Sequence, residues 1–443
     1  RLAPFRIVMS KKFSVPRGAA DILPAEMSLW QDIQDTARQI FRDYNYHEIQ
    51  TPVFEETELF ARSMGKTSDV VQKQMLNLQS QTKSDAADIH GSELSLRPEG
   101  TASVVRAYIE NGLDRKEAIS KFFYMGPMFR GERPQKGRLR QFHQIGAEII
   151  GPEAVHPYLD AEIIAVNIAL LHAFGVQDFR LKINTLGSIE DKENLSKTLR
   201  KLLSPKMSDL CPDCQQRFKH NVFRILDCKN KACAEIVHGL QINDSYLSDE
   251  SRAHFATVKE ALEGLKIKYD VCHDLVRGLD YYTHTVFEIT GSSLGSQDAV
   301  SAGGRYNHLV SQLGGPEIPA IGFALGIERT ILAMGESREL RVIPPDAFII
   351  ALDEKSFKKA FQILSILRDM DIASDMSYRV SSMKSQMRLA DKVGARSVII
   401  MGESELEKEF VSLKDMETGH QEEVTIKNND YAVLVDKLRE RQQ

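Results

Sequence analysis

Two long strands joined by a basic loop, within residues 122–151, constrain the fold of this chain more than any other stretch. The first strand is apolar and ends at Arg130, where the loop begins. Because successive strand side chains point to opposite faces, Gln144, Gly146 and Glu148 share one face of the second strand, and the apolar residues between them face the core. A glycine between an amide and a carboxylate leaves room for a ligand against the backbone. An edge hairpin with a solvated polar face explains the same pattern. This stretch alone therefore does not decide between a ligand site and an edge hairpin.

Length and composition limit the possible classes of protein. At 443 residues the chain exceeds what one hydrophobic core usually organises, so we expect two or three domains. The formal net charge is −5, which excludes a uniformly basic surface, and any contact with nucleic acid must use local basic patches. No apolar run approaches the length of a membrane span, and five cysteines in so long a chain do not suggest a disulfide framework. We therefore expect a protein of the reducing cytoplasm, without a membrane partner.

Changes in composition and periodicity divide the chain into segments. The first residues precede Met9 and look unlike the rest, so we interpret residues 1–12 as a disordered or artefactual leader. After Gly187 the sequence becomes charged and helical, and strand patterning returns near residue 271. Beyond a polar stretch, strands and helices alternate as in a compact α/β domain. The predicted segments are a main domain in two parts (13–187 and 271–335), a helical insertion (188–270), a linker (336–345) and a C-terminal domain (346–443).

Four of the five cysteines lie in the helical insertion. They occur as Cys211-x2-Cys214 and, 13 residues later, as Cys228-x4-Cys233. Two close pairs of thiolates form a reasonable tetrahedral zinc set, which would be structural because all four ligand positions are filled. The second pair has the looser spacing, and unliganded thiols on a helical insertion explain the pattern equally well. Both interpretations stay open.

Polar residues also collect where two predicted helices begin. Glu99, Gly100 and Thr101 precede the first of these helices, so that a carboxylate, a hydroxyl and free backbone N–H groups come together. Thr101 alone is explained as an N-cap, but that explanation does not account for the carboxylate. Arg329 lies in the first turn of the second helix, where a positive charge is unfavourable unless it binds an anion.

Two short motifs follow the insertion. The first, LVRGLDYYT at 275–283, places Arg277 before a glycine, an aspartate, Tyr281 and Tyr282. The second, AGGRY at 302–306, contains two glycines that permit close approach of a flat ligand to the backbone. A β-turn explains either motif alone. Their occurrence so close together favours a binding site.

Together these motifs resemble those of class II aminoacyl-tRNA synthetases, and specifically histidyl-tRNA synthetases of the bacterial type, over nearly the whole chain. The helix and strand that end at Pro52, the strands around Arg130, and the helix of Arg329 indicate the class. The motifs at 275–283 and 302–306 indicate the amino acid. The resemblance implies an α+β fold with an antiparallel β-sheet core flanked by helices, a helical insertion and a C-terminal α/β anticodon-binding domain. The two parts of the main domain would then be the catalytic core.

The resemblance implies an enzyme that uses ATP, with Mg²⁺ on its β and γ phosphates, to activate L-histidine as histidyl-adenylate. The enzyme would release pyrophosphate and pass the histidyl group to the 3′ end of tRNA(His). It also implies a cytoplasmic homodimer, assembled through the N-terminal helix and the strand near Pro52. The alternative is a noncatalytic, synthetase-like regulatory paralogue that binds histidine, but such a chain is expected to lack the C-terminal domain and some motif residues. A noncatalytic RNA-binding protein would not need phosphate-binding arginines in three separate segments.

The resemblance further implies roles for individual residues. The expected catalytic and ATP-binding residues are Arg130 on the α-phosphate and Arg329 on the γ-phosphate, with Arg277 bridging the α-phosphate and the histidine carboxylate. The expected histidine-binding residues, besides Arg277, are Glu99, Thr101 and Gln144 on the α-ammonium group, with Gly100 between the first two, Glu148 and Tyr282 on the imidazole nitrogens, and Tyr281 on the pocket wall. The expected contacts with the tRNA acceptor end are Arg133, Gln135 and Arg140.

Overall fold

A computed structural model describes residues 13–65, 68–79, 93–240, 242–294, 298–335 and 344–441. The predicted leader and nearly all of the predicted linker lie outside these residues. The chain divides into two compact units, Arg1–Leu340 and Arg341–Gln443. None of the helices in the described part of the chain combines the length and apolar character needed to span a lipid bilayer.

Both units are built from strands and helices. Within the described residues the strands are β1 (His47–Glu48), β2 (Phe54–Glu56), β3 (Leu76–Asn77), β4 (Leu94–Leu96), β5 (Ser120–Phe129), β6 (Gln141–Ile150), β7 (Phe179–Thr185), β8 (Asp270–Val271), β9 (Thr283–Gly291), β10 (Ala299–Arg305), β11 (Ala320–Gly326), β12 (Ala347–Ala351), β13 (Ser374–Met376), β14 (Ser397–Met401), β15 (Phe410–Asp415) and β16 (Gln421–Thr425). The α-helices are α1 (Pro24–Asp43), α2 (Thr57–Met64), α3 (Thr101–Glu110), α4 (Tyr158–Ala173), α5 (Ile189–Leu203), α6 (Pro212–His220), α7 (Lys231–His238), α8 (Asp249–Gly264), α9 (Leu309–Gln312), α10 (Ile327–Met334), α11 (Glu354–Asp369), α12 (Met383–Lys392), α13 (Glu403–Glu407) and α14 (Ala432–Glu440).

An eight-stranded sheet forms the centre of the first unit, with the strand order β1-β5-β6-β11-β10-β9-β7-β8. The pairings from β5 through to β7 are antiparallel, which confirms the predicted antiparallel core. The two-residue strands β1 and β8 extend the edges in parallel. A separate small sheet has the order β2-β4-β3.

Helices α1, α4 and α8 cover one face of the large sheet. Four apolar residues of α1 that recur at helical spacing are buried there: Trp30, Ile33, Ala37 and Phe41. They share one hydrophobic core with the apolar face of β6, namely Ile145, Ala147 and Ile149. Burial of these side chains supplies the main stabilising term of the unit, at about 1.5–3 kcal/mol for each large aliphatic or aromatic residue.

The insertion has a small core of its own, built from α5, α6, α7 and the segments that join them. Its buried apolar residues run from Leu195 to Leu247. Helix α8 falls inside the predicted range of the insertion, yet Phe255 and Val258 pack it into the core of the large sheet. The sequence pattern does not reveal this division, because α8 is amphipathic in the same way as the helices before it.

The second unit is a five-stranded sheet with helices, in the order β13-β12-β14-β15-β16. Strand β12 pairs in parallel with both neighbours, and β14, β15 and β16 pair antiparallel. Helix α11 buries four apolar residues at helical spacing: Ala360, Ile363, Leu364 and Leu367. The short helix α13 is not predicted by the sequence, because its residues, ESELE, carry no apolar period.

Candidate active site

The other face of the large sheet carries the candidate site. The register aligns the polar face of β6 with small residues of β11, pairing Gln144 with Gly326, Gly146 with Ala324, and Glu148 with Gly322. Ala302 of β10 lies between Ala324 and Glu288 of β9. Small residues therefore line the middle of this face, with carboxylates on both sides. A cavity of about 920 Å³ opens over it, within the size range of small-molecule sites.

Glu99, rather than Thr101, caps the N-terminus of α3. Its carboxylate accepts the backbone N–H groups of Thr101 at 2.7 Å and Ala102 at 2.9 Å. Gly100 occupies the N-cap position, and Thr101 is the first residue of the helix itself. The interpretation of Thr101 as the N-cap is therefore wrong. The Thr101 hydroxyl instead donates to Glu148 Oε1 at 2.7 Å. Burial raises the pKa of Glu99, against the opposing effect of its backbone hydrogen bonds.

Glu148 is completely buried and does not itself line the cavity. Besides the Thr101 hydroxyl, its carboxylate accepts the hydroxyls of Tyr124, at 3.4 Å, and Tyr306. Burial raises the pKa of Glu148 to about 8, although the hydrogen bonds from Tyr306 and Thr101 act to lower it. Thr101 and Gly322, which line the cavity, lie directly against Glu148. The Glu148 carboxylate, held by hydroxyls, therefore lies directly behind this part of the cavity wall.

Tyr124 and Tyr306 hold Glu148, although neither is among the residues predicted for the site and neither lines the cavity. Tyr124 is paired with Gly146 across β5 and β6. Its ring occupies the space above Gly100 and Gly146, since a Cβ on either glycine would lie 2.3 or 2.2 Å from the ring. Tyr306 ends the AGGRY motif, in which only the glycines suggest a ligand. The alternation of side chains along β5 could have identified Tyr124. Tyr124 lies on the same face of β5 as Gly126, which is paired with Gln144.

The AGGRY motif proves to be largely structural. A Cβ on Gly303 would lie 2.7 Å from the Phe287 ring, on the core side of the sheet. The prediction that both glycines admit a ligand is therefore wrong. Gly303 is required by strand packing, a Cβ on Gly304 would lie 2.6 Å from the Thr285 carbonyl oxygen, and neither glycine lines the cavity. Arg305 is fully buried and pairs with Asp160, with its Nε 2.8 Å from Oδ2. It also donates to the carbonyl oxygens of Ala154 and His156.

The three arginines predicted for the site, Arg130, Arg277 and Arg329, come from different elements and line the cavity, together with Arg138. Arg130 Nε donates to the Pro98 carbonyl oxygen at 3.0 Å, which fixes the direction of its guanidinium group. Arg277 Nη1 donates to Glu288 Oε2 at 2.6 Å. Burial lowers the pKa of both Arg130 and Arg329. Cations that are partly stripped of water and converge on one cavity favour a polyanionic ligand.

Of the other predicted histidine-binding residues, Gln144, Tyr281 and Tyr282 also line this cavity, whereas Gly100 and Glu148 do not. Tyr281 and Tyr282 are buried, with ring centroids 4.6 Å apart. Lys192 of α5 holds their loop by donating to the carbonyl oxygens of Asp280, at 3.1 Å, and Tyr282, at 2.7 Å. Gln144 Oε1 is buried without a hydrogen-bond partner among the described residues. A ligand N–H would supply the missing donor.

The basic loop between β5 and β6 separates into two groups of residues. Arg138 and Glu132 line the cavity and pair with each other at 3.2 Å. The predicted tRNA contacts Arg133, Gln135 and Arg140 are exposed to solvent. The loop therefore presents one side to the cavity and exposes these three residues and Lys136 to solvent.

Comparisons with known proteins agree on one family. A family model described as histidyl-tRNA synthetase matches residues 18–330, and one described as anticodon binding domain matches residues 346–438. The histidine--tRNA ligase of Halothermothrix orenii is 45% identical over 415 residues, which cover 93% of this chain and 97% of the relative. That of Syntrophotalea carbinolica is 43% identical over 418 residues, covering 94% and 97%. The crystal structure of apo S. aureus histidyl-tRNA synthetase matches with a TM-score of 0.78 at 34% identity, covering 97% of this chain and 100% of that chain.

Proposed function

Because the chain belongs to the histidyl-tRNA synthetase family, we propose that the cavity described above is where it activates L-histidine with ATP before transfer to tRNA(His). The protein is an aminoacyl-tRNA ligase: the curated ligases correspond to it over nearly their whole length, and the anticodon-binding domain is present. The alternative of a noncatalytic regulatory paralogue is rejected on the same grounds. The observation that supports this location best is the convergence of three arginines above the buried, hydroxyl-bound Glu148.

Recognition of histidine rests on donors and acceptors at both ends of the amino acid. Glu99 and Gln144, with Thr101 beside Gly100, supply oxygens for the α-ammonium group. Glu148 accepts a hydrogen bond from one imidazole nitrogen, and the Tyr282 hydroxyl serves the other, with Tyr281 on the wall. A site that hydrogen-bonds both nitrogens rejects an apolar isostere by about 10⁴–10⁵-fold, because the wrong side chain leaves buried polar groups unpaired.

The arginines act in the activation step. An oxygen of the histidine carboxylate attacks the α-phosphorus of ATP, and the bond to the pyrophosphate leaving group breaks. Arg130 stabilises the charge that builds on the α-phosphate, and Arg277 exchanges its bond to Glu288 for the reacting carboxylate and phosphate. Arg329 holds the γ-phosphate. Fixed cations aimed at developing charge are commonly the largest single contribution to such catalysis.

The carboxylates of the cavity fit a Mg²⁺ ion bound together with ATP. Glu288 and Asp298 both line the cavity and offer hard oxygen ligands. Mg²⁺ usually takes one or two carboxylates and completes its octahedron with phosphate oxygens and water. When bound, it neutralises charge on the β and γ phosphates.

Contacts with tRNA are proposed at two places. The exposed Arg133, Gln135 and Arg140 are placed to touch the acceptor end, since their loop also borders the cavity. The C-terminal domain would contact the anticodon, whose unpaired base edges are readable.

The proposed quaternary state is a homodimer, in the cytoplasm. Val53 and Phe54, next to Pro52, are 39% and 46% exposed although both are large and apolar. Adjacent exposed apolar residues at the end of the predicted N-terminal element favour a buried contact with a second copy. Sedimentation of the full chain at working concentration tests this, and a monomer would contradict it.

Histidine-dependent exchange of pyrophosphate into ATP tests the proposed activity without tRNA. We expect exchange with histidine alone among the amino acids, and a loss of more than about a hundredfold in Arg277→Ala, as for a transition-state contact. Arg115→Ala is the matched control, because the Arg115 side chain is 87% exposed and lies away from the cavity. Exchange that survives in Arg277→Ala would refute the role of Arg277 and leave the function intact. No exchange by the folded wild type would refute the function.

A further inference from the structure

The four cysteines of the insertion converge on one point. The sulfur atoms of Cys211, Cys214, Cys228 and Cys233 all lie within 4.8 Å of one another. Cys211 Sγ and Cys228 Sγ are 3.9 Å apart, close to the separation of about 3.8 Å that a tetrahedral zinc site with Zn–S bonds near 2.3 Å requires. The spacing that left the zinc interpretation open in the sequence is therefore resolved by the fold into one compact set.

The surroundings of the sulfurs suit thiolate ligands. The backbone N–H of Cys211 donates to Cys233 Sγ at 3.2 Å. Cys214 and Cys233 lie in the first turns of α6 and α7, where the helix dipole favours negative charge. All five cysteines are free thiols, so disulfide bonds do not account for the convergence.

Packing alone explains only half of the cluster. Cys214 and Cys233 are fully buried and belong to the small core of the insertion. Cys211 and Cys228 are only partly buried, yet they point to the same place. A hydrophobic core this small gives limited folding stability by itself. Small domains commonly add a structural metal that stabilises the fold.

The segment between the two cysteine pairs contacts the loop that carries the histidine-binding residues. Arg224 Nη2 donates to the Gly278 carbonyl oxygen at 2.9 Å. Asn221 Nδ2 donates to Asp280 Oδ1, also at 2.9 Å. Both acceptors lie between Arg277 and Tyr281. Arg224 Nη1 also donates to Asp69 Oδ2 at 3.2 Å, which ties the segment to the rest of the core.

We propose that Cys211, Cys214, Cys228 and Cys233 bind one structural Zn²⁺ ion, and that this ion holds the segment that positions the loop 277–282. The ion takes no part in the reaction, because the four thiolates fill its coordination shell. Its effect on histidine, which rests on the proposed function, is one of position: the ion fixes α6 and Arg224, and Arg224 and Asn221 fix the loop.

Metal content tests the site itself. The full chain, purified from zinc-supplemented cells, is expected to contain one zinc per chain by elemental analysis. After chelation and addition of cobalt it is expected to show the absorption of a tetrahedral cobalt–thiolate centre. Cys228→Ser, at a partly buried ligand, is expected to lose both signals, whereas Cys272→Ser, outside the cluster, keeps the zinc. A zinc-free wild type that also fails to take up cobalt would overturn the proposal.

Kinetics of pyrophosphate exchange test the positioning role. Removal of zinc is expected to raise the KM for histidine by about tenfold, to change the KM for ATP by less than about twofold, and to be reversed by added zinc. Arg224→Ala is expected to raise the KM for histidine similarly while it retains zinc. An unchanged KM for histidine in a zinc-free, folded protein would overturn the positioning role. Zinc binding without any histidine-dependent exchange would instead refute the proposed function and leave the metal site standing.

Discussion

Asp160 and Glu148, two carboxylates of the described residues, have no exposed surface, and their environments differ in kind. Asp160 of α4 faces the guanidinium group of Arg305, and His254 Nε2 lies 3.5 Å from its Oδ1. Glu148 of β6 is held by hydroxyl groups, from Thr101 and two tyrosines. Burial works to raise the pKa of both groups. The charge of Arg305 reverses that effect and lowers the pKa of Asp160 to about 2, whereas the pKa of Glu148 rises to about 8.

The difference separates a structural carboxylate from one that is available to a ligand. The guanidinium of Arg305 is satisfied by Asp160 and by two backbone carbonyl oxygens, so this pair has no capacity left for a substrate. Glu148 has no full positive charge among its hydrogen-bond partners in the described structure. An imidazole N–H, or an imidazolium, would supply the stronger donor that its carboxylate lacks.

Removal of Asp160 should give the largest effect. Asp160→Ala leaves the Arg305 guanidinium buried and uncompensated, and loss of one partner of a buried pair costs about 3–5 kcal/mol. Urea unfolding is expected to show that loss in the free energy of unfolding. Asp35→Ala is the control, because its side chain is 76% exposed and its salt bridge with Arg38 lies on the surface. A loss below about 1 kcal/mol for Asp160→Ala would mean that Arg305 finds another partner and that the pair is not structural.

Glu148→Gln should give the next largest effect, on activity rather than on folding. The substitution keeps the shape but removes the carboxylate that would be charged against a bound imidazole, and a hydrogen bond to a charged group contributes about 1.5–3 kcal/mol. The kcat/KM of pyrophosphate exchange for histidine is therefore expected to fall by about 10- to 100-fold. The free energy of unfolding near neutral pH is expected to stay level or rise. Strong destabilisation with histidine activation retained would mean that Glu148 is a structural carboxylate, as Asp160 is, and not one that binds a ligand.

The sequence predicts the position of Glu148 better than it predicts the pairing of Asp160 with Arg305. Alternation along β6 places Glu148 on the ligand face, and the signal is local because Gln144 and Gly146 lie on the same strand. The Asp160–Arg305 pair joins residues that are 145 positions apart. No periodicity in either segment reports such a contact, and Arg305 lies in a motif that is typical of a ligand site.

A similar reason explains which other features the sequence predicts. The large helices and the longer strands of the two larger sheets follow from apolar periodicity, which is a property of each segment alone. The apolar face of α8 could pack against the insertion or against the large sheet, and the choice depends on tertiary contacts that the segment itself does not encode. The convergence of Cys211, Cys214, Cys228 and Cys233 likewise depends on how α6 and α7 come together, so the sequence leaves it open and the structure does not.

The smallest expected effect is a pH dependence of stability that Glu148 has and Asp160 lacks. The pKa of Glu148 in the folded protein, about 8, lies above its usual value of 4.5, so the folded state holds a proton that the unfolded state has released. The free energy of unfolding contributed by this group therefore falls as the pH rises from 4.5 to 8. Asp160 has a pKa of about 2 and adds nothing in this range. His284 has a pKa lowered by burial from 6.5 to about 4, and it contributes the opposite slope only below pH 6.5.

The window between pH 6.5 and 8 therefore isolates Glu148 from both of these groups. The wild type is expected to lose about 1–2 kcal/mol more than Glu148→Gln across this window, since one proton is worth about 1.4 kcal/mol per pH unit. Urea unfolding of the two proteins at several pH values measures the difference, and slopes shared by both belong to other groups. Saturating histidine should flatten the wild-type slope, because a bound imidazole lowers the pKa of Glu148 toward that of a paired carboxylate. Parallel slopes for wild type and variant would mean that the three hydroxyls already stabilise the Glu148 charge, as Arg305 does for Asp160.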